Sequence, residues 1–224
     1  MGLDTSPSVL PGQAVPDELL NSITSYVEEY MSHYDGSHDY NHIKRVLSLA
    51  RTILSEERKI KPNSGVAYDD SLVTLGALLH DVGDKKYLAP GQDASTLVQD
   101  VLVEKGAPHD LAARVQDLVL HVSYSSEVKN PQGVVDKLLS LPELAIVQDA
   151  DRLDAIGAVG VARCFAFTGA KGGHLEGAIE HFQEKLERLE SMMKTETGKK
   201  LARTRTERIV KFREWWEEEA GLKG

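Results

Sequence analysis

The sequence predicts an all-α protein. Apolar residues recur at steps of three and four along most of the chain, and no alternating segment long enough for a strand occurs. Gly, Pro, Ser and Asp fall where helices would begin and end. Residues 1–16, rich in Pro, Ser and Gly, read as a flexible tail, which leaves 17–224 as one helical domain. Asp17 is the expected N-cap of a first helix carrying Leu20, Ile23, Val27 and Met31. A turn at Tyr34-Asp35-Gly36-Ser37 separates it from a second helix. There His42, Val46, Leu49 and Ile53 share one face and Ile43, Leu47, Ala50 and Leu54 the next, which suggests a centrally buried helix.

After Lys61-Pro62-Asn63-Ser64-Gly65, a third helix is expected from Asp69 or Asp70 through Leu72, Leu75, Leu78 and Leu79 to His80-Asp81, with Gly83 as its stop. A fourth spans about Ala94 to Gly106. A fifth, opened by Pro108, runs to about Tyr124 with Leu111, Val115, Leu118 and Val122 as its buried stripe. Ser125 to Gly133 reads as a polar connection. Glu143 to Thr168 reads as a long helix broken or tightened around Gly157 and Gly160, and the loop Gly169-Ala170-Lys171-Gly172-Gly173 ends it. Leu175, Ile179, Phe182, Leu186, Leu189 and Met193 form a further helical stripe, read as core packing in preference to an interaction surface. A last helix is expected from about Lys199 to Ala220.

The composition bounds the function. With 224 residues, 41% hydrophobic and 27% charged, the chain can bury a substantial core. The 35 Asp and Glu outweigh 26 Lys and Arg, giving a net charge of -9, which argues against a protein that coats nucleic acid. The basic run Lys199, Lys200, Arg203, Arg205, Arg208 does not change this, because Glu207, Glu214 and Glu217 to Glu219 share its helix. Cys164 is the only cysteine, so no internal disulfide forms and a reducing compartment fits. The N-terminus lacks a basic start followed by an apolar run, and no stretch approaches the roughly 18 apolar residues of a membrane span. Gly2 and Ser6 fit a myristoylation pattern only superficially. The expectation is a cytoplasmic protein, or a nuclear one.

Three segments place metal-ligating groups on helices otherwise devoted to packing: His38-Asp39-Tyr40-Asn41-His42, Leu78-Leu79-His80-Asp81-Val82-Gly83-Asp84, and Gln148-Asp149-Ala150-Asp151-Arg152-Leu153-Asp154. They offer two imidazoles and two carboxylates from three separate helices. Such groups are costly to bury unless paired or bound to a cation. On spacing alone, Asp149 and Asp151 compete for the last ligand position.

This ordered set resembles the HD superfamily of metal-dependent phosphohydrolases, whose signature is a His, a distant His-Asp pair and a final Asp. The resemblance covers roughly residues 20 to 215 and extends to His181-Phe182-Gln183-Glu184-Lys185-Leu186 and Thr195-Glu196-Thr197-Gly198, which look like a compact, single-domain bacterial and fungal subgroup. It implies a helical bundle with the metal at the junction of three central helices, held by His42, His80, Asp81 and Asp151. Asp151 lies in the Ala-Asp-Arg context typical of the family.

Two nitrogens and two hard oxygens suit an octahedral divalent ion: Mn²⁺ first, with Mg²⁺, Co²⁺, Ni²⁺ or Fe²⁺ as alternatives. Two coordination positions remain for water and a phosphate oxygen. Asp84, three residues after Asp81, is the expected orienter or base for the water, acting beside Asp81. Its alternative is pairing with Lys85 or Lys86, and many HD relatives carry Lys at this position. His121, Lys185 and His38 are candidate substrate contacts, each weighed against an ordinary packing or surface role. Arg45 is a candidate for binding phosphate or, preferably, a carboxylate supporting the ligands, the role also given to Asp154. Asp39 reads as a cap.

The expected function is hydrolysis of a small phosphorylated molecule, foremost a (deoxy)nucleotide, to monophosphate and pyrophosphate or with release of phosphate. The alternatives are a guanosine tetraphosphate-type alarmone hydrolase and a non-catalytic nucleotide-sensing module. The expected partner is the small substrate alone, on a monomer or homodimer, without nucleic acid or membrane.

Overall fold

The computed structural model describes residues 14–34, 36, 38–60, 66–84, 88 and 90–221. Residues 1–13 of the expected tail, Asp35 and Ser37, the 61–65 connection, and Lys85 and Lys86 lie outside the described residues. The elements are α1 (Asp17–Met31), α2 (Tyr40–Ile60), α3 (Asp70–Leu79), α4 (Leu97–Glu104), α5 (His109–Leu120), α6 (Tyr124–Lys129), α7 (Pro131–Ser140), α8 (Glu143–Asp154), α9 (Gly157–Ala170), α10 (Leu175–Glu184), a 3-10 helix (Leu186–Met192) and α11 (Glu196–Glu219). Among the described residues there is no strand, and no single helix is long and apolar enough to cross a membrane.

Helices α2, α3 and α8 pack against one another and divide the apolar interior in two. On one side Ile23 and Val27 of α1, Leu75 and Leu79 of α3, Leu102 of α4 and Leu118 of α5 form a core with Ile43. On the other side Val46 and Ile53 of α2, Ile146 and Leu153 of α8 and Phe182, Leu189, Ala202 and Ile209 form the second. Helix α2 therefore serves both cores, but Lys44, Ser48, Arg51, Thr52 and Ser55 give it a solvent face. The helix enclosed on nearly all sides is α3, where Ser71, Leu72, Val73, Leu75, Gly76, Ala77, Leu78 and Leu79 are all buried.

The polar residues that fix these helices are caps shared between elements. Asp69 caps α3 by accepting from Ser71 N and Leu72 N, pairs with Arg114 of α5 at 3.0 Å, and donates its own N–H to Glu143 at the start of α8. Glu57 of α2 accepts the N–H and hydroxyl of Thr197, both at 2.8 Å, and so holds the first turn of α11. Arg205 of α11 donates to the Leu153 carbonyl at the end of α8.

Several boundaries differ from the sequence expectation. Pro16, not Asp17, occupies the N-cap of α1, and Asp17 sits in its first turn where a carboxylate favours the helix dipole. The expected polar connection from Ser125 to Gly133 is largely helical. Ser123 takes an extended conformation and caps α6, and Asn130 caps α7 ahead of Pro131, so α5 stops at Leu120. The long helix expected over 143–168 is two, α8 and α9, whose axes turn by 70°. The stripe from Leu175 to Met193 breaks at Lys185 and continues as the 3-10 helix; its residues from Phe182 onward are core, while Leu175 is exposed. Helix α11 begins earlier than Lys199 because Thr195 caps it. Trp216 packs on Phe165 at 5.7 Å, whereas Trp215 faces outward.

The α8–α9 elbow depends on Gly157, whose φ of +77° lies in the left-handed region. A Cβ there would also stand 3.1 Å from Cγ of Arg205. Gly157→Ala is expected to destabilise the fold by about 1–2 kcal/mol from the backbone alone, with displacement of Arg205 adding to it. Urea unfolding of the variant against the wild type measures this, and an unchanged midpoint would contradict it.

Candidate metal centre

His42 lies in the first turn of α2, His80 is the residue after α3, and Asp151 lies in the last turn of α8. Asp39, just ahead of α2, accepts the His42 N–H at 3.1 Å, as a capping residue does, and thereby fixes the first turn that carries His42. The packing of α2 against both α3 and α8 then brings the three segments to one point.

Each imidazole has one nitrogen committed to the protein. Nδ1 of His42 faces Oδ2 of Asp154 at 2.7 Å, and Nδ1 of His80 faces the Ala77 carbonyl at 2.9 Å. Both partners are acceptors, so each Nδ1 carries a hydrogen, and in the neutral ring each Nε2 keeps a lone pair for a cation. The two Nε2 atoms are 3.1 Å apart. Oδ2 of Asp81 stands 3.3 Å and Oδ1 of Asp151 3.6 Å from the His42 Nε2. Asp81 Oδ1 and Asp151 Oδ1 lie 3.6 and 3.7 Å from the His80 Nε2. Ligand atoms of His42, His80 and Asp151 all fall within 4.8 Å of one another. Asp81 adds a buried Oδ2 with no hydrogen-bond partner.

Acceptor atoms converging this closely repel one another unless a positive charge sits among them. The titration directions say the same. Burial opposes a charge on His42, but the Asp154 and Asp81 carboxylates outweigh it and raise the imidazole to about 9. Burial likewise opposes ionisation of Asp81, yet His80 and His42 hold it well below the usual carboxylate range. The donor set therefore fits a divalent cation held by His42, His80, Asp81 and Asp151. Imidazole nitrogens and carboxylate oxygens are both ordinary ligands of divalent metal ions.

Around this set the protein builds a supporting layer. Asp154 is 1% exposed and accepts from His42, from Arg45 Nε at 2.7 Å and Nη2 at 3.0 Å, and from Arg163 Nη1 at 3.0 Å. Burial opposes its charge, but His42 and Arg45 outweigh burial and hold it well below the usual range. Arg45 thus meets a carboxylate, the preferred of its two expected roles.

Asp149, the rival of Asp151 on spacing, points elsewhere. It is fully buried and accepts from the backbone N–H groups of Lys194 and Thr195 and from the Thr195 hydroxyl, tying α8 to the entry of α11. Asp84 follows a turn and not a helix. Helix α3 ends at Leu79, and Gly83 adopts φ +87°, so the i, i+3 face shared with Asp81 does not apply. The chain reverses there and Asp84 N–H returns to the Asp81 carbonyl at 3.4 Å.

His38 packs edge-on against His42, with ring centroids 6.0 Å apart, and at the same distance against Phe167 of α9. Burial lowers the His38 pKa. His121, at the C-terminus of α5, bonds through Nδ1 to the Asp117 carbonyl at 2.7 Å, while its own carbonyl accepts from Gln148 at 2.8 Å. Lys185 lies over the Tyr124 ring at 4.8 Å. Of the expected loop from Gly169 to Gly173, Gly169 and Ala170 are the last residues of α9, and Lys171 to Gly173 lie exposed between α9 and α10. Phe167 and Tyr124 carry no chemical signature in the sequence, and only tertiary packing brings them beside His38 and Lys185.

The comparisons with known proteins agree with this geometry. The HD domain family matches residues 39–156, which span His42 through Asp151. YpgQ of Bacillus subtilis is 37% identical over 194 residues, covering 85% of this chain and 88% of its own length. The crystal structure of YpgQ in complex with ADP superposes with a TM-score of 0.70 at 34% identity, covering 89% of this chain and 97% of that one. An HD-superfamily hydrolase from Bacillus thuringiensis superposes with a TM-score of 0.66 at 26% identity, over 91% of this chain and 97% of that one. With His42, His80 and Asp151 grouped at the junction of α2, α3 and α8 inside the matched region, the chain belongs to the HD domain family.

Proposed function

We propose that the protein is a metal-dependent phosphohydrolase of small phosphorylated molecules, with nucleotides as the leading class. The observation that carries this reading is the pair of His42 and His80 Nε2 atoms 3.1 Å apart and flanked by the Asp81 and Asp151 carboxylates. The ADP complex of YpgQ supports a nucleotide as ligand.

A divalent ion in this site, Mn²⁺ foremost, would offset charge on the phosphoryl group and make water acidic enough to attack near neutral pH. The residues of the chain supply the rest. Asp154 holds the His42 ring in the tautomer that leaves Nε2 as a donor of electrons, and Arg45 and Arg163 hold Asp154. Asp84 takes the proton of the attacking water as general base. The water oxygen bonds to phosphorus as a bridging P–O bond opens, and the electron pair leaves with the bridging oxygen. Attack at the phosphorus next to the nucleoside gives monophosphate and pyrophosphate; attack on a monophosphate releases orthophosphate. His38, His121 and Lys185 contact the substrate in this scheme, and Arg45 acts on it through Asp154.

Three outcomes are expected. Asp81→Ala should lose both bound metal, read by elemental analysis, and hydrolysis, and full activity in that variant would overturn the site. Asp154→Ala should weaken metal affinity about 10- to 100-fold, the usual effect of removing a ligand's carboxylate partner. Asp84→Asn should retain metal while kcat falls about 10²- to 10⁴-fold, the range of a lost general base. A panel of phosphorylated metabolites assayed with several divalent cations, with products identified by mass, tests the substrate class. Absence of phosphate or pyrophosphate release across the panel would refute the catalytic reading.

A further inference from the structure

Beside Asp151, helix α8 buries Gln148 and Arg152, which are 0% and 2% exposed. The two lie one turn apart and bracket the ligand in sequence. Both reach across to the chain that leaves α5. Gln148 Nε2 donates to the His121 carbonyl at 2.8 Å, and Arg152 Nη2 donates to Glu127 of α6. Of residues 121–127 only Val122 is fully buried, so packing alone holds this segment weakly.

His121 is the C-cap of α5, where the last carbonyls have no partner within the helix. Gln148 supplies one from the helix that carries Asp151. The amide does so at a cost, because Gln148 Oε1 is buried without a hydrogen-bond partner. An apolar side chain of the same size, like its buried neighbours Leu144, Ile146 and Val147, would avoid that desolvation. What distinguishes glutamine here is therefore its bond to His121. Gln148 and Asp151 are three residues apart, which puts their Cβ atoms about 5–6 Å from each other on one face of the helix. The end of α5 is thereby drawn to the side of α8 that holds the metal ligand. His121 commits Nδ1 to the Asp117 carbonyl at 2.7 Å, and its side chain is 29% exposed. Its Nε2 is the nitrogen left to face a substrate, where an imidazolium can donate to a phosphate oxygen.

We infer that Gln148 is a positioning residue: by holding the His121 carbonyl to α8, it sets the His121 imidazole at a fixed place relative to Asp151, so that one phosphorylated substrate meets the metal and His121 together. The inference rests on the phosphohydrolase reading, in which His121 contacts the substrate. Gln148 touches neither substrate nor metal and acts through His121 alone. Arg152 holds the far end of the same segment through Glu127, which limits its rotation about the Gln148 bond.

The probe is α,β-methylene-ADP, whose P–C–P bridge resists hydrolysis, titrated calorimetrically into the full chain with saturating Mn²⁺. Gln148→Met keeps the volume and removes the donor, and Gln148→Asn keeps the amide but is one methylene shorter. Each should weaken binding about tenfold or more, the effect of losing one hydrogen bond to a charged group, with Mn²⁺ affinity and circular dichroism unchanged. His121→Ala should weaken it as much. Adding Gln148→Met to His121→Ala should change nothing further, because both act through one contact. A merely structural role for Gln148 would instead weaken binding equally in both backgrounds. Wild-type binding in both Gln148 variants, additive losses in the double variant, a fall in Mn²⁺ affinity, unfolding of both Gln148 variants, or no saturable binding to the wild-type chain would each overturn the inference. Turnover of phosphorylated metabolites is measured separately. No hydrolysis alongside the expected binding pattern would remove the phosphohydrolase reading and leave the placement of His121 standing.

Discussion

Two imidazole nitrogens cannot face each other at 3.1 Å with both lone pairs intact unless something positive lies between or beside them. That constraint governs the centre of this protein. It requires each ring to be held from behind, because a free imidazole would rotate away. Asp154 performs this for His42 and the Ala77 carbonyl for His80. Asp154 is buried and needs compensation of its own, which Arg45 and Arg163 provide. One unfavourable contact thus recruits residues from α2, α3, α8 and α9.

The same economy appears in the scaffold. Buried carboxylates here mostly terminate helices that belong to other segments. Asp69 joins α3 to α5, and Glu143 joins α8 to the start of α3. Asp149 and Glu57 secure the first turn of α11. Arg152, beside Asp151, is 2% exposed and reaches both Glu127 of α6 at 2.5 Å and the Met192 carbonyl. Lys194 meets the same glutamate at 2.9 Å. These bonds cross between helices, so they fix the relative rotation of α8 and its neighbours, which apolar packing alone leaves degenerate.

Much of this was legible in the sequence because it is local. The helical class follows from apolar periodicity, and the capping of α2 and α3 follows from Asp39 and Asp69 placed just ahead of apolar runs. The three ligand-bearing segments stood out because ionisable groups interrupt otherwise apolar helices. What was not legible depends on residues distant in sequence. Spacing alone gave Asp149 and Asp151 equal claim on the ligand position, and the difference between them is which face of α8 meets α11. The 70° elbow after Asp154 was foreshadowed by Gly157, but the contact of Arg205 from α11 with the Leu153 carbonyl beside it was not. Asp84 was placed by extending α3 beyond Leu79, whereas the helix ends there and a turn with a left-handed Gly83 carries Asp84, a geometry that a helical wheel does not represent.

The distance along the chain between the supporting and supported groups has a consequence for biosynthesis. His42 and Asp154 are 112 residues apart, and the last turn of α8 must be in place before the ring is oriented. A chain emerging from the ribosome therefore has its first two imidazoles long before it has the aspartates that complete the cage. Capture of an ion at this site would then be a late event, coupled to closure of the fold, and a truncated product would hold metal poorly even with His42, His80 and Asp81 intact.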